Sequence, residues 1–143
     1  MLKKQHTKYI GIDYGKKRTG ISISDHNKVI SFPLDTIETK SLIFYLKDLI
    51  DNEKIEKVVI GKPLKLNNEL HELEIDIIQF IKSLKSIFPQ IIIKRIDERY
   101  TSKISSLIIR QSGINQKSRM NKSIIDKISA SLILESYLTK INK

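Results

Sequence analysis

The stretch Tyr9-Ile-Gly-Ile-Asp-Tyr-Gly-Lys-Lys-Arg-Thr-Gly-Ile-Ser-Ile-Ser24 decides how the chain begins to fold. Apolar residues alternate with small or polar ones on both sides of a polar centre, which is the period of a β-strand. This pattern predicts strands over Tyr9–Asp13 and Thr19–Ser24. It also predicts a turn over Tyr14–Arg18, where Gly15 permits a positive φ. The two strands form an antiparallel hairpin whose first strand ends on an aspartate.

A third strand is expected to extend this hairpin into a meander. Asp25-His-Asn27 has the composition of a second turn. Val29–Leu34 then has the composition of a strand, and Pro33 suits an edge strand or a strand end. The chain therefore begins with three antiparallel strands.

The remainder of the chain alternates between helical and strand patterns. Apolar residues recur at helical spacing over Leu42–Ile50 and from Asn68 to about Phe88. Lys57–Gly61 is a short run that is apolar on both faces, as is typical of a buried parallel strand, and Ile91–Asp97 has the composition of another strand. This order predicts an α/β fold with a five-stranded mixed sheet, in which two parallel strands join the antiparallel meander and helices cover both faces.

Two further helices are predicted at the C-terminal end. Thr101 or Ser102 can cap a helix that Gly113 ends. A polar, basic loop is expected over Asn115–Lys122, and Ser123 can cap the last helix.

Composition limits the class of protein. With 143 residues and 40% hydrophobic residues, residues 1–143 are expected to form a single domain. The absence of cysteine excludes a disulfide framework, a cysteine zinc site and thiol catalysis. The N-terminus lacks the pattern of a signal peptide, and no stretch approaches the roughly 18 apolar residues of a membrane span. We therefore expect a cytoplasmic protein with no membrane partner.

The charge balance favours a polyanionic partner. Lysine and arginine total 26 against 16 acids, a formal net charge of +10. Nucleic acid is the commonest polyanion in a cell. The alternative is that an AT-rich coding bias enriched lysine without any ligand, because Ile, Lys and Asn are abundant throughout.

Four acids stand at the ends of predicted core elements: Asp13, Asp97, Glu98 and Asp126. Asp126 begins a helical stripe that continues through apolar residues, so it should face inward. Carboxylates on inward faces repel one another unless a cation neutralises them, and oxygen ligands suit Mg²⁺ or Mn²⁺. Taken singly, Asp13 is better explained as a turn or cap residue and Glu98 as a surface partner of Arg99, while Asp126 is equally explained as an acid that favours the N-terminal end of a helix. Only their convergence favours a site.

Basic residues follow or surround these acids in the sequence, as a phosphate backbone would require. The expected nucleic-acid contacts are Lys16, Lys17, Arg18, Arg99, Lys117, Arg119 and Lys122. The alternative is that these side chains form an ordinary solvated surface.

Four segments of the chain resemble the motifs of the YqgF (RuvX) family of Holliday-junction-resolvase-like nucleases. Gly11–Asp25 follows the pattern G-x-D-x-G-x-x-R-x-G-x-A-x-S-D, with Ser22 in place of the alanine. Val58–Leu64 reads V-V-I-G-K-P-L, which is similar to the family's V-V-G-x-P-L segment. Asp97–Ser102 follows D-E-R-x-T-T, and Asp126–Leu134 follows D-x-x-A-A-x-x-I-L with a serine for the first alanine. The four segments occur in the family's order.

This resemblance implies an RNase H-like fold and a metal-dependent nuclease. By motif, Asp13, Glu98 and Asp126 correspond to the catalytic set that holds Mg²⁺ or Mn²⁺. Asp97 fits less well, because adjacent strand residues point to opposite faces. Arg18 and Arg99 correspond to partners of a phosphate or carboxylate.

The family is associated with processing the 5′ end of pre-16S rRNA, so precursor rRNA, either free or within a ribosomal precursor particle, is the preferred partner. One alternative is resolution of four-way DNA, which has also been proposed for the family. Another is a non-catalytic RNA-binding factor of ribosome assembly. Both a monomer and a homodimer are compatible with the sequence.

Overall fold

The computed structural model describes residues 6–63, 67–98 and 122–143. Within these residues the strands are β1 (Lys8–Asp13), β2 (Arg18–Ser24), β3 (Ser31–Glu38), β4 (Ile55–Pro63) and β5 (Ile92–Glu98). The helices are α1 (Leu42–Glu53), α2 (Asn68–Ile87) and α3 (Lys122–Ile141), and a 3₁₀ turn over Thr39–Ser41 precedes α1. The predicted helix from Thr101 to Gly113, and the loop that follows it up to residue 121, lie outside the described residues.

The strands form one mixed sheet in the order β3-β2-β1-β4-β5. The pairs β1–β2 and β2–β3 are antiparallel, while β1–β4 and β4–β5 are parallel. The predicted antiparallel meander with two added parallel strands is therefore confirmed. β1 and β4 are the inner strands that join the two parts of the sheet.

Helices cover both faces of the sheet, as predicted. Ile10 and Ile12 of β1 pack with α1 and α2, where Leu46 and Leu84 are fully buried. The opposite face packs against α3, and Val59 of β4 lies in that second cluster. β4 is apolar on both faces because it lies between these two layers.

Small residues allow α3 to approach the sheet closely. A Cβ atom added to Gly11 would lie 2.7 Å from Cβ of Leu134 and 2.8 Å from the carbonyl oxygen of Ala130. The hydroxyl of Ser22 donates to that same carbonyl at 2.7 Å. At these positions the helix backbone therefore rests on the strands with almost no side-chain layer between them, while larger side chains of α3 pack against β4.

The third strand begins later than predicted and runs further, over Ser31–Glu38 instead of Val29–Leu34. The carboxylate of Asp25 accepts the backbone N–H groups of both Val29 and Ile30 at 2.9 Å. These bonds hold the two residues in the turn, because a side-chain acceptor competes with strand pairing. Partial burial acts to raise the pKa of Asp25, but the backbone hydrogen bonds prevail and lower it.

The turn between β1 and β2 does not use the positive φ that was expected at Gly15, whose φ lies outside the left-handed region. Glycine is required there for space instead, because an added Cβ would lie 2.4 Å from the carbonyl oxygen of Arg18.

The bounds of α2 match the predicted helix closely. The side chain of Asn67 accepts the N–H of Leu70 at 2.9 Å and so caps the helix start. Among the described helices, none is long and apolar enough to cross a membrane.

Candidate active site at the carboxyl edge of the sheet

The parallel strands β1, β4 and β5 end at one edge of the sheet, on Asp13, Pro63 and Glu98. β2 runs in the opposite direction and therefore begins at this edge, with Arg18. We call the edge defined by these four residues the carboxyl edge. In open α/β sheets, the crevice outside the carboxyl ends of the strands is where ligands bind.

Asp13 and Asp126 lie at the same part of the carboxyl edge, and Gly20 contacts both of them. Asp13 is the cross-strand partner of Gly20, so their side-chain positions lie on one face of the sheet. A Cβ atom added to Gly20 would lie 2.0 Å from the carbonyl oxygen of Asp126. The backbone of α3 at Asp126 therefore rests directly on the residue paired with Asp13.

Arg18 forms an ion pair with Asp126. Its Nε donates to Oδ2 of the carboxylate at 2.9 Å, and the two side chains are 41% and 24% exposed. A pair this accessible contributes little to stability. Its main consequence is local, because it orients the carboxylate and places a cation beside two converging acids.

Glu98 is placed by its backbone. Its Cα pairs with that of Pro63 at the end of β4, and its side chain lies outside the described atoms. Asp97 pairs with Lys62 and, as the neighbouring strand residue, points to the other face. Whether Glu98 meets the other two acids therefore stays a prediction.

The described residues contain no cluster of three or more His, Cys, Asp or Glu side chains that could hold a metal ion. Asp13 and Asp126 are among these residues, whereas the side chain of the third acid, Glu98, lies outside the described atoms. Oxygen is the donor atom of all three acids, which suits a hard divalent cation.

The predicted basic residues that the structure describes lie around the β1–β2 turn and the start of α3. Lys16 bonds Glu72 of α2 at 2.9 Å, and this hydrogen bond raises the pKa of Lys16 and lowers that of Glu72. Lys17 and Lys122 are exposed. The other three, Arg99, Lys117 and Arg119, lie outside the described residues.

Sequence reasoning missed the role of Arg95 in shaping this end of the sheet. Its guanidinium donates to both carboxylate oxygens of Glu74, at 2.7 and 3.0 Å, and to the carbonyl of Gly61 at 2.9 Å. These bonds join α2 to the end of β4. A scarce arginine inside a strand was the available signal, since such a cation needs a partner when it is largely buried.

The fold is shared with a protein of known structure. A solved structure described as "T. thermophilus RuvC in complex with Holliday junction substrate" matches with a TM-score of 0.61, covering 96% of this chain and 98% of that chain at 10% identity. The likeness places this chain in the class of RNase H-like folds, as predicted.

Sequence comparison is more specific. The family model described as "RuvX: Holliday junction resolvase" matches residues 7–140. A protein named "Putative pre-16S rRNA nuclease" from Flavobacterium psychrophilum is 42% identical over 131 residues, covering 92% of this chain and 96% of that protein. A protein of the same name from Karelsulcia muelleri is 44% identical over 135 residues, covering 92% and 98%. The chain belongs to the RuvX family, which confirms the resemblance drawn from the four motifs.

Proposed function

We propose that this chain is a metal-dependent nuclease that hydrolyses phosphodiester bonds in structured RNA, with the 5′ region of pre-16S rRNA in a ribosomal precursor particle as substrate. The observation that carries the proposal is the contact of the Asp126 backbone with Gly20, the partner of Asp13. It brings two acids that are far apart in sequence to one edge of the sheet. The names of the relatives support the choice of substrate.

The acids fit a hard divalent cation. Asp13 and Asp126 supply carboxylate oxygens from two elements that share a face, and Glu98 ends a strand at the same edge. These three residues would hold Mg²⁺ or Mn²⁺. When bound, such ions lower the pKa of an attacking water and stabilise the charge on the leaving oxygen.

The chain's own residues prepare this chemistry. Arg18 holds the carboxylate of Asp126 in place through its Nε. The exposed ammonium groups of Lys17 and Lys122 add positive charge near the same edge. Contacts of this kind attract a phosphate backbone and weaken as salt concentration rises.

The decisive experiment is a cleavage assay with Asp13→Asn. Pre-16S RNA is incubated with Mg²⁺, with Mn²⁺ or with a chelator, and products are resolved by electrophoresis. We expect metal-dependent cleavage by the wild type and a loss on the order of 10³-fold or more in the variant, because the substitution removes a charged ligand. RNA affinity and thermal stability should change little.

Asp51→Asn is the matched control, since Asp51 is an exposed acid on α1, outside the set of acids at the carboxyl edge. It should retain full cleavage. Equal activity of Asp13→Asn and wild type, or cleavage that persists with chelator, would contradict the metal mechanism. RNA binding without cleavage under any condition would instead support a non-catalytic assembly factor.

A four-way DNA junction is the second candidate substrate. The family description and the fold shared with a junction-bound RuvC favour it. Cutting two opposed strands requires two active sites, which a symmetric dimer provides. The same assay with a synthetic junction, together with sedimentation in the presence of the junction, tests this candidate. A protein that stays monomeric and leaves the junction intact is not a resolvase.

A further inference from the structure

A cleft of about 260 Å³ opens on the α1–α2 face, between the start of α1 and α2. Tyr14 and Phe80 line it, with their ring centroids 5.5 Å apart and their planes tilted by 37°. Phe80 is buried, whereas Tyr14 is only partly buried. The cleft therefore has an aromatic surface.

Polar groups surround this aromatic surface. Asp76, Gln79 and Ser83 of α2 line one wall, and their spacing of three and four residues places them on one side of the helix. Thr39 and Lys40 line the other wall. The cleft thus combines hydrogen-bond acceptors and donors with a surface suited to stacking.

This chemistry fits a nucleobase better than a phosphate. The carboxylate of Asp76 would repel an anion such as phosphate. The ammonium of Lys40 is paired with Glu38 at 3.1 Å, so its charge is already partly neutralised. A base is planar, uncharged and bordered by donors and acceptors, which matches the amide of Gln79 and the carboxylate beside it. Drug-sized sites begin at about 300 Å³, so the volume suits a single base.

Tyr14 presents a ring for stacking and a phenol hydroxyl that can donate a hydrogen bond to a ligand in the cleft.

The cleft is attached to the candidate active site. Tyr14 directly follows Asp13, and the two side chains point to opposite faces of the sheet. The hydroxyl of Thr39 donates to the carbonyl of Gly15 at 2.7 Å, and its N–H donates to the carbonyl of Lys17 at 2.9 Å. One wall of the cleft and the β1–β2 turn are therefore one hydrogen-bonded unit.

We propose that this cleft is a nucleobase subsite, which receives the unstacked base of a nucleotide next to the scissile phosphate as the strand passes over the carboxyl edge. The proposal rests on the proposed nuclease function and extends it. It implies that cleavage needs a single-stranded or distorted nucleotide beside the cut, since a paired base cannot reach the reverse side of the strand end.

The test is an abasic scan of a pre-16S RNA oligonucleotide, read by equilibrium binding to Asp13→Asn protein so that no cleavage is required. One abasic position next to the cut should weaken binding by about tenfold, because the missing base loses both its stacking on the aromatic surface and its hydrogen bonds to the polar wall. In the same background, Gln79→Ala with Ser83→Ala removes the hydrogen-bonding part and keeps the aromatic rings, so the penalty of that abasic position should fall to about threefold.

Ser86→Ala with Gln90→Ala is the matched control, because both residues are exposed and lie outside the cleft lining. It should keep the full tenfold penalty. Two results would overturn the subsite and leave the nuclease function standing, provided that RNA binding and wild-type cleavage are intact. One is a flat abasic scan, and the other is a scan that the Gln79 and Ser83 changes do not affect. Absence of any RNA binding or cleavage would overturn both.

A second arm separates a substrate base from a free nucleotide. Nucleoside 5′-monophosphates are titrated into the wild-type protein and followed by NMR. Weak shifts at Tyr14 and Gln79, together with a positive abasic scan, support the proposal. Saturable binding of free nucleotide together with a flat scan would assign the cleft to a free nucleotide and overturn the proposal.

Discussion

The two faces of the sheet are packed by different means. On the α1–α2 face, bulky aliphatic side chains such as Ile10, Ile12 and Leu46 are fully buried between sheet and helices. On the α3 face, the backbone of the helix lies directly on Gly11 and Gly20.

Hydroxyl groups of the strands attach the N-terminal half of α3 to the sheet. Thr36 donates to the carbonyl of Ser123, Ser22 to that of Ala130 at 2.7 Å, and Ser31 to that of Ser131 at 2.6 Å. These carbonyls span more than two turns of the helix.

This difference means that one face contributes most to the stability of the fold, whereas the other fixes the position of a helix. A layer of side chains contributes most of the apolar burial and can adjust its rotamers when one member changes. A backbone resting on a glycine and bonded through hydroxyls has no such freedom, so the position of α3 along the sheet is closely defined. Asp126 lies in this second kind of packing, so the position of its backbone against Gly20, the cross-strand partner of Asp13, is closely defined.

Gly20→Ala should give the largest effect. The new Cβ would lie 2.0 Å from the carbonyl oxygen of Asp126, so the start of α3 must move away from the sheet. We expect a loss of more than about 3 kcal/mol in the free energy of unfolding, at or above the usual range for overpacking, measured by urea titration. Cleavage per folded molecule should also fall, because Asp126 moves with the helix. Unchanged stability and activity would show that α3 is not held by this contact.

Leu46→Ala tests the other face. Leu46 is fully buried between α1 and the sheet, so its truncation should cost about 3 kcal/mol through lost burial and a cavity. Cleavage per folded molecule, assayed well below the thermal midpoint, should stay within about twofold of wild type because the carboxyl edge is untouched. A large drop in the activity of the folded variant would remove the distinction between the faces.

The smallest effect should appear only in alkaline solution. Burial, followed by the hydrogen-bonded carboxylate of Asp35, raises the pKa of Tyr45 to about 12. A raised pKa means that the folded state retains the proton, so the stabilisation is complete below about pH 10 and is lost as pH rises towards 12. Urea unfolding of the wild type should show a steeper decline over this range than that of Tyr45→Phe.

Asp35→Asn provides the matching control for Tyr45. It removes the acceptor charge but leaves the burial, so the alkaline decline should be smaller than in wild type but still present. Identical pH profiles for wild type and Tyr45→Phe would mean that this phenol does not couple to folding.

Much of the fold could be predicted, because hydrophobic period reports which face of an element is buried. The alternating pattern of β1 and β2 and the apolar run of β4 correctly predicted these three strands. Together with the order of the elements, they also predicted a sheet with both parallel and antiparallel pairs. The errors arose where local contacts outweighed the pattern. Asp25 holds Val29 and Ile30 in a turn, which delayed β3 to Ser31.

The candidate site was predictable in its residue types and less so in its contacts. Asp13 and Asp126 were singled out because each stands at the end of an element and carries a motif. The contact that Gly20 makes between them could not be predicted, although Gly20 belongs to the same motif as Asp13. Its role depends on a helix that lies more than one hundred residues further along the chain.

The order of the elements, the two buried faces of the sheet and the family were determined by the sequence itself, since residue period and motif spacing are properties of neighbours along the chain. Only the tertiary structure decided which distant groups meet. Arg18 bonds Asp126, Arg95 bonds Glu74, and Gly20 receives the backbone of α3. Periodicity specifies the direction of a side chain but not how far a packed helix slides along a sheet, and that distance is set by contacts between backbones.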